Sequence, residues 1–162
     1  MSLKISKAVV FFFLCVFLSA ANAQQPFDKS AFYACMATDD INSIDAQLKI
    51  VDASTMPEKD AYSGTLLMKK AGLAKKGSNK LSLFKAGHKK LEASIIKSNS
   101  NAEFRFLRLM IQEHAPGILG YKNDTQNDSE YIKQKFKDLP PVVQHAVIDY
   151  SKKSKIFNPA DF

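Results

Sequence analysis

Residues 101–116, NAEFRFLRLMIQEHAP, decide the fold. Ser100 and Glu103 stand at capping-box spacing and Pro116-Gly117 supplies a stop, so the stretch predicts a helix. Its apolar residues, Phe104, Phe106, Leu107, Leu109, Met110 and Ile111, do not keep to one stripe. They cover most of the circumference, which is the pattern of a helix packed on several sides, so the rest of the chain is expected to wrap it.

Within that apolar surround Arg105, Arg108 and Gln112 fall at i, i+3 and i+7 and therefore share one face. The row has two readings. In one, the arginines meet carboxylates of neighbouring helices, with Glu92, Glu103 and Asp60 as candidates, because buried charges are paired. In the other, the guanidinium fork grips a carboxylate or phosphate of a ligand, and the row is a polar or anion site.

Working outward, residues 80–97 keep apolar residues at steps of three and four (Leu81, Phe84, His88, Leu91, Ile95) and predict a helix. Gly87 interrupts it at about 1 kcal/mol relative to alanine and would let another helix come close. Before it, Thr55-Met56-Pro57-Glu58 looks like a capping box with proline in the first turn. It opens a helix that runs toward Gly72, and a lysine-rich connector with Gly77 and Ser78 follows. Residues 27–37 start the first helix. Thr38-Asp39-Asp40 caps either its continuation or a second helix through Val51, with Ile41, Ile44, Leu48 and Val51 on one face. On the C-terminal side, 117–126 is expected to be a polar loop and Asn127 to cap a helix with Glu130 three residues on. Pro140-Pro141 separates that helix from a last one that turns Val142, Val143, Ala146, Val147 and Tyr150 inward. No stretch alternates with a period of two, so no sheet is expected.

Residues 1–23 have the form of a secretory signal. Lys4 and Lys7 make the basic region, 8–18 is an apolar run, and Ala21-Asn22-Ala23 precedes a cleavage point at Gln24. The run is short of the ~20 residues that span a bilayer, and Leu14 before Cys15 does not suit a lipobox. Exported in this way, residues 24–162 would form a single domain, periplasmic or secreted, with one thiol, Cys35. A disulfide within it is excluded, so stability must come from packing. Apolar neighbours suggest that Cys35 is a buried thiol and not a reactive one.

Charge is unevenly spread over a chain of net charge +7. Residues 69–97 hold nine lysines and a single acid, Glu92, whereas 28–60 hold seven acids and three lysines. The lysines around the connector, Lys69, Lys70, Lys75 and Lys76, form a candidate basic surface. It is either a solvated face or a site of loose attraction to anionic lipid heads, envelope glycans or an acidic partner. No nucleic-acid motif accompanies the charge. The three histidines, His88, His114 and His145, sit on different predicted helices with no HExxH or Cys/His spacing, and no P-loop, dinucleotide fingerprint or G-x-S-x-G is present. Neither metal nor cofactor is called for. Glu113-His114 could serve as an acid/base pair, or His114 could simply complement the helix C-terminus.

The segment GHKKLEASIIKSNSN resembles the second helix of a tetratricopeptide repeat, with small Gly87, large Leu91, small Ser94 and a polar turn at Asn99. The family's usual proline is replaced by Asn99 and the 34-residue period does not recur. The signal ending ANA before Gln24-Gln25 resembles those of Bacteroidetes, and the chain is similar to small uncharacterised exported helical proteins of that group. The resemblance implies helical hairpins and an envelope address, and no activity. The expectation is therefore an all-α domain of about six helices, in antiparallel hairpins around a central helix over 101–114. Its function would be that of a non-enzymatic interaction protein of the cell envelope. Its partner would be a protein or an anionic envelope component, with no nucleic acid and at most weak peripheral membrane contact. The alternative is an enzyme using Glu113 and His114 with Arg105 and Arg108 as an anion clamp.

Overall fold

The computed structural model describes residues 26–75 and 79–162. Among them are seven α-helices: α1 (Lys29–Met36), α2 (Ile41–Ala53), α3 (Lys59–Leu73), α4 (Lys80–Lys97), α5 (Ala102–His114), α6 (Thr125–Lys135) and α7 (Pro141–Ser151). Three single 3₁₀ turns, Gly117–Leu119, Phe136–Asp138 and Pro159–Asp161, join or follow them, and no strand occurs among the described residues. The domain is all-α. The count is seven because Asp40 accepts hydrogen bonds from the Asn42 and Ser43 backbone N–H groups at 3.0 and 3.2 Å. That side chain starts α2 afresh instead of continuing α1.

The central helix is α5, with ten of its thirteen residues buried. Leu107 and Leu109 are completely enclosed, and Phe106 meets Tyr33 on one side and Tyr150 and Phe157 on another. Its cap differs from the expected one. Asn101, not Ser100, accepts from the Phe104 N–H at 3.1 Å. Glu103 is thereby freed to turn into the interior.

α3 and α4 form the tightest pair in the molecule. Asp60 reaches Lys90 at one end and Met68 lies beside Gly87 further along, so the two run antiparallel. They touch backbone to backbone: a Cβ on Gly64 would lie 2.6 Å from the Gly87 carbonyl oxygen and 2.9 Å from the Leu91 nitrogen. The close approach expected at Gly87 is therefore present, and its counterpart is Gly64. α2 packs on the other flank of α3.

Two starts lie elsewhere than the sequence suggests. α3 begins at Lys59, with no side-chain cap from Thr55 or Glu58, because Pro57 keeps Met56 out of the helical region and the chain turns through 57–58 first. α6 begins at Thr125, two residues before Asn127, which places Asp128 inside the helix with its side chain in the core. After α7 the chain returns to the core through Phe157, whose ring meets Phe162 at 5.0 Å, and Phe162 in turn meets Phe136 at 4.8 Å.

Candidate binding groove

The arginine row of α5 lies against α6. Arg108 donates from Nε to Asp128 Oδ2 at 2.6 Å and from Nη2 to Asp128 Oδ1 at 2.8 Å, a bidentate fork. Its Nη1 donates to Glu92 Oε2 at 2.9 Å and lies 3.5 Å from Asp124. Arg105 reaches the same Asp128 at 3.2 Å, donates to the Asn99 carbonyl and stacks over the Tyr131 ring at 4.3 Å. Asp128 is fully enclosed. Burial works against the Arg108 charge, but hydrogen bonds and attraction from Asp128, with Glu92 and Asp124 adding to it, outweigh that and push its pKa up. Gln112, equally enclosed, accepts from the Thr125 hydroxyl at 3.2 Å, and its amide nitrogen has no partner. The row is thus held by protein carboxylates. Glu92 was foreseeable among them, and Asp128 and Asp124, which read as loop and cap residues, were not.

The other two candidate carboxylates lie elsewhere. Asp60 pairs with Lys90 on α4. Glu103 accepts from Lys29 at 2.6 Å and from the Tyr62 and Tyr33 hydroxyls at 2.7 and 2.9 Å. Burial first, and the Glu103 charge second, push both tyrosines above their ordinary range.

Glu113 and His114 diverge. Glu113 turns to the segment after α7, accepting from Tyr150 at 2.6 Å, from Ser154 at 2.8 Å and from the Lys155 backbone N–H. Burial would raise its pKa; the Lys155 N–H and the two hydroxyls prevail and hold the carboxyl below its usual range. His114 is exposed and meets the edge of Tyr150, at 6.5 Å between rings. His88 packs beside Phe84 and Tyr121. No group of three or more His, Cys, Asp or Glu among the described residues could hold a metal ion.

The basic surface is partly neutralised. Lys69 pairs with Asp39 at 2.8 Å and Lys70 with Asp45, so the acids around α2 sit on the lysines of α3. Lys75 is exposed, and Lys76 lies outside the described residues. Cys35 is buried between α1 and α2, and that burial pushes its thiol pKa up.

A separate concave feature includes none of the arginines. It is a partly open groove of about 1350 Å³ lined by five helices. Tyr33, Ala34 and Ala37 of α1 form one wall, and Met68, Ala71 and Gly72 near the end of α3 form another. Leu81 and Phe84 open α4 into it, and Met110, Ile111 and His114 close α5 onto it. Val142, Ala146 and Tyr150 of α7 complete it, with Ile118 and Leu119 of the intervening turn at its edge. Leu81 is 54% exposed and Ile118 95%, both into this space. Among the polar groups in the walls, the Tyr33 and Tyr150 hydroxyls are held by Glu103 and Glu113, and Ser30, His114 and His145 also line the groove.

No protein-family model, no curated protein and no solved structure matches the chain.

Proposed function

We propose that the chain is exported and acts in the cell envelope as a non-enzymatic interaction protein whose binding surface is the groove. The groove carries this reading. It is larger than the roughly 300–1000 Å³ of a pocket for a drug-sized molecule, it is apolar, and two large hydrophobic side chains stand open in it. Exposed apolar surface gathered in one concavity is the usual mark of a binding face. The enzyme alternative loses its anchors, since Arg105 and Arg108 are tied to Asp128 and Glu113 is tied to the segment after α7. The signal-like residues 1–23 lie outside the described residues, and no helix among the described residues is long and apolar enough to cross a membrane. The likeness to exported helical proteins of Bacteroidetes belongs to the same reading, as does the repeat-like segment 87–99. Gly87 sits where two hairpin helices touch, the position a small residue takes in such repeats.

Site-specific photo-crosslinking in envelope extracts tests it. A crosslinker at Leu81 or Ile118 should capture a discrete species, and one at Ile96, exposed but outside the groove, should not. N-terminal sequencing of the fractionated protein should begin at Gln24. Equal labelling at Ile96 would remove the groove from the reading. Turnover in a hydrolase screen that disappears with Glu113→Gln or His114→Ala would restore the enzyme.

A further inference from the structure

Resting on the reading of the groove as the binding surface, we infer that its ligand is a long-chain amphiphile with a single anionic head, of the fatty-carboxylate type. Two observations lead there. The first is that most of the wall is apolar. With the tyrosine hydroxyls committed to Glu103 and Glu113, Ser30, His114 and His145 are the uncharged polar side chains left in a mainly apolar wall, so most of the ligand must be apolar. Met36, Met68 and Met110 line the groove, and flexible thioether side chains adapt to a chain that bends.

The second is the charge around it. Four lysines line the groove, and its two aspartates are already matched, Asp39 by Lys69 and Asp149 by Lys152. Lys80, at the start of α4, and Lys153, just past the end of α7, face it without an acidic partner among the described residues. Lysine stems can lie along apolar walls while the ammonium groups stay at the water's edge, where a carboxylate head would sit. An acidic amphipathic helix would also satisfy an apolar wall, but its acidic face would be long enough to meet Asp39 and Asp149 as well. A single head group at Lys80 or Lys153 avoids them.

The test is calorimetric titration of the purified protein with oleate, below its aggregation concentration, and with oleyl alcohol as the uncharged counterpart. Oleate should bind saturably, and oleyl alcohol at least about tenfold more weakly, the worth of one charge-assisted hydrogen bond. Lys80→Glu with Lys153→Glu should bring oleate down to the level of the alcohol and leave the alcohol unchanged. Gly72→Trp should abolish both. Gly72 lines the groove and a Cβ there meets nothing within 4 Å, so the ring has room on the groove side without entering the core. Ala37→Trp, at another exposed lining position, is the second blocking variant, and circular dichroism verifies that each folds. Equal affinity for oleate and alcohol, or indifference to the lysine changes, would overturn the carboxylate head and leave the groove as a binding surface. Binding of neither, with discrete crosslinks at Leu81, would overturn the lipid in favour of a protein partner. Binding of neither with no such crosslinks would overturn the groove reading too.

Discussion

Asp128 is the residue on which α5 and α6 depend most. It is fully enclosed and receives three guanidinium bonds, two from Arg108 and one from Arg105. Breaking a buried pair from one side leaves an uncompensated charge, so Asp128→Asn should destabilise the fold by about 3–5 kcal/mol in urea titration. Arg105→Ala should be milder, because that side chain is partly exposed and its other partners are a carbonyl and a ring face. Glu113 gives a pH signature. Its carboxyl is held below its usual range, so its contribution is complete above the unfolded glutamate value, about 4.3, and is lost as the pH falls through the folded one. Urea midpoints of wild type and Glu113→Gln should therefore differ at neutral pH and converge in acid. Asp39, Asp40, Asp149 and Asp161 are lowered too, but both proteins carry them, so they move the two curves alike and should not mask the convergence. Parallel curves would mean that Glu113 titrates as it does in the unfolded chain.

Among the elements, the α3/α4 hairpin sets the closest tolerance. Alanine at Gly87 gains about 1 kcal/mol of helix propensity, yet its methyl group would press on the Gly64 carbonyl, a backbone atom that cannot rotate aside. Overpacking of this kind costs about 1–3 kcal/mol, so Gly87→Ala should lower the melting temperature. Gly72→Ala, in the same hairpin but facing open space, should raise it slightly. The opposite signs separate the contact from the propensity. A fall for both would show that the backbone contact is not what distinguishes them. Gly87 was legible as a place of close approach because a glycine inside a firm helical period needs a reason. Gly64 was not, since it stands in a run of small residues where nothing marks one from the next.

At the scale of the molecule, the central position of α5 follows from residues 101–116, where apolar side chains cover most of the circumference, and the all-α class follows from the lack of any stretch with a period of two. The ion-pair geometry was only half legible. That Arg105 and Arg108 need carboxylates follows from their apolar surround, but Asp128 lies twenty residues from Arg108 and has the sequence environment of a cap. The uneven spread of charge along the sequence is partly cancelled in space, because antiparallel packing lays α2 along α3. The groove was not legible at all. It draws on five helices at once, and in the sequence Leu81 reads as a core position of its helical period and Ile118 as part of a polar loop. That same construction has a consequence for heat. A molecule seated there would touch α1, α3, α4, α5 and α7 together, and none of them could leave without releasing it. Occupancy would then act as a clasp on the unfolding equilibrium: about a hundredfold excess over Kd adds about 2.7 kcal/mol, and at this chain length each kcal/mol moves the melting temperature by roughly 2–4 °C. Scanning calorimetry with and without oleate should show that rise for wild type and none for Gly72→Trp, so the protein's heat resistance would report whether its groove is filled.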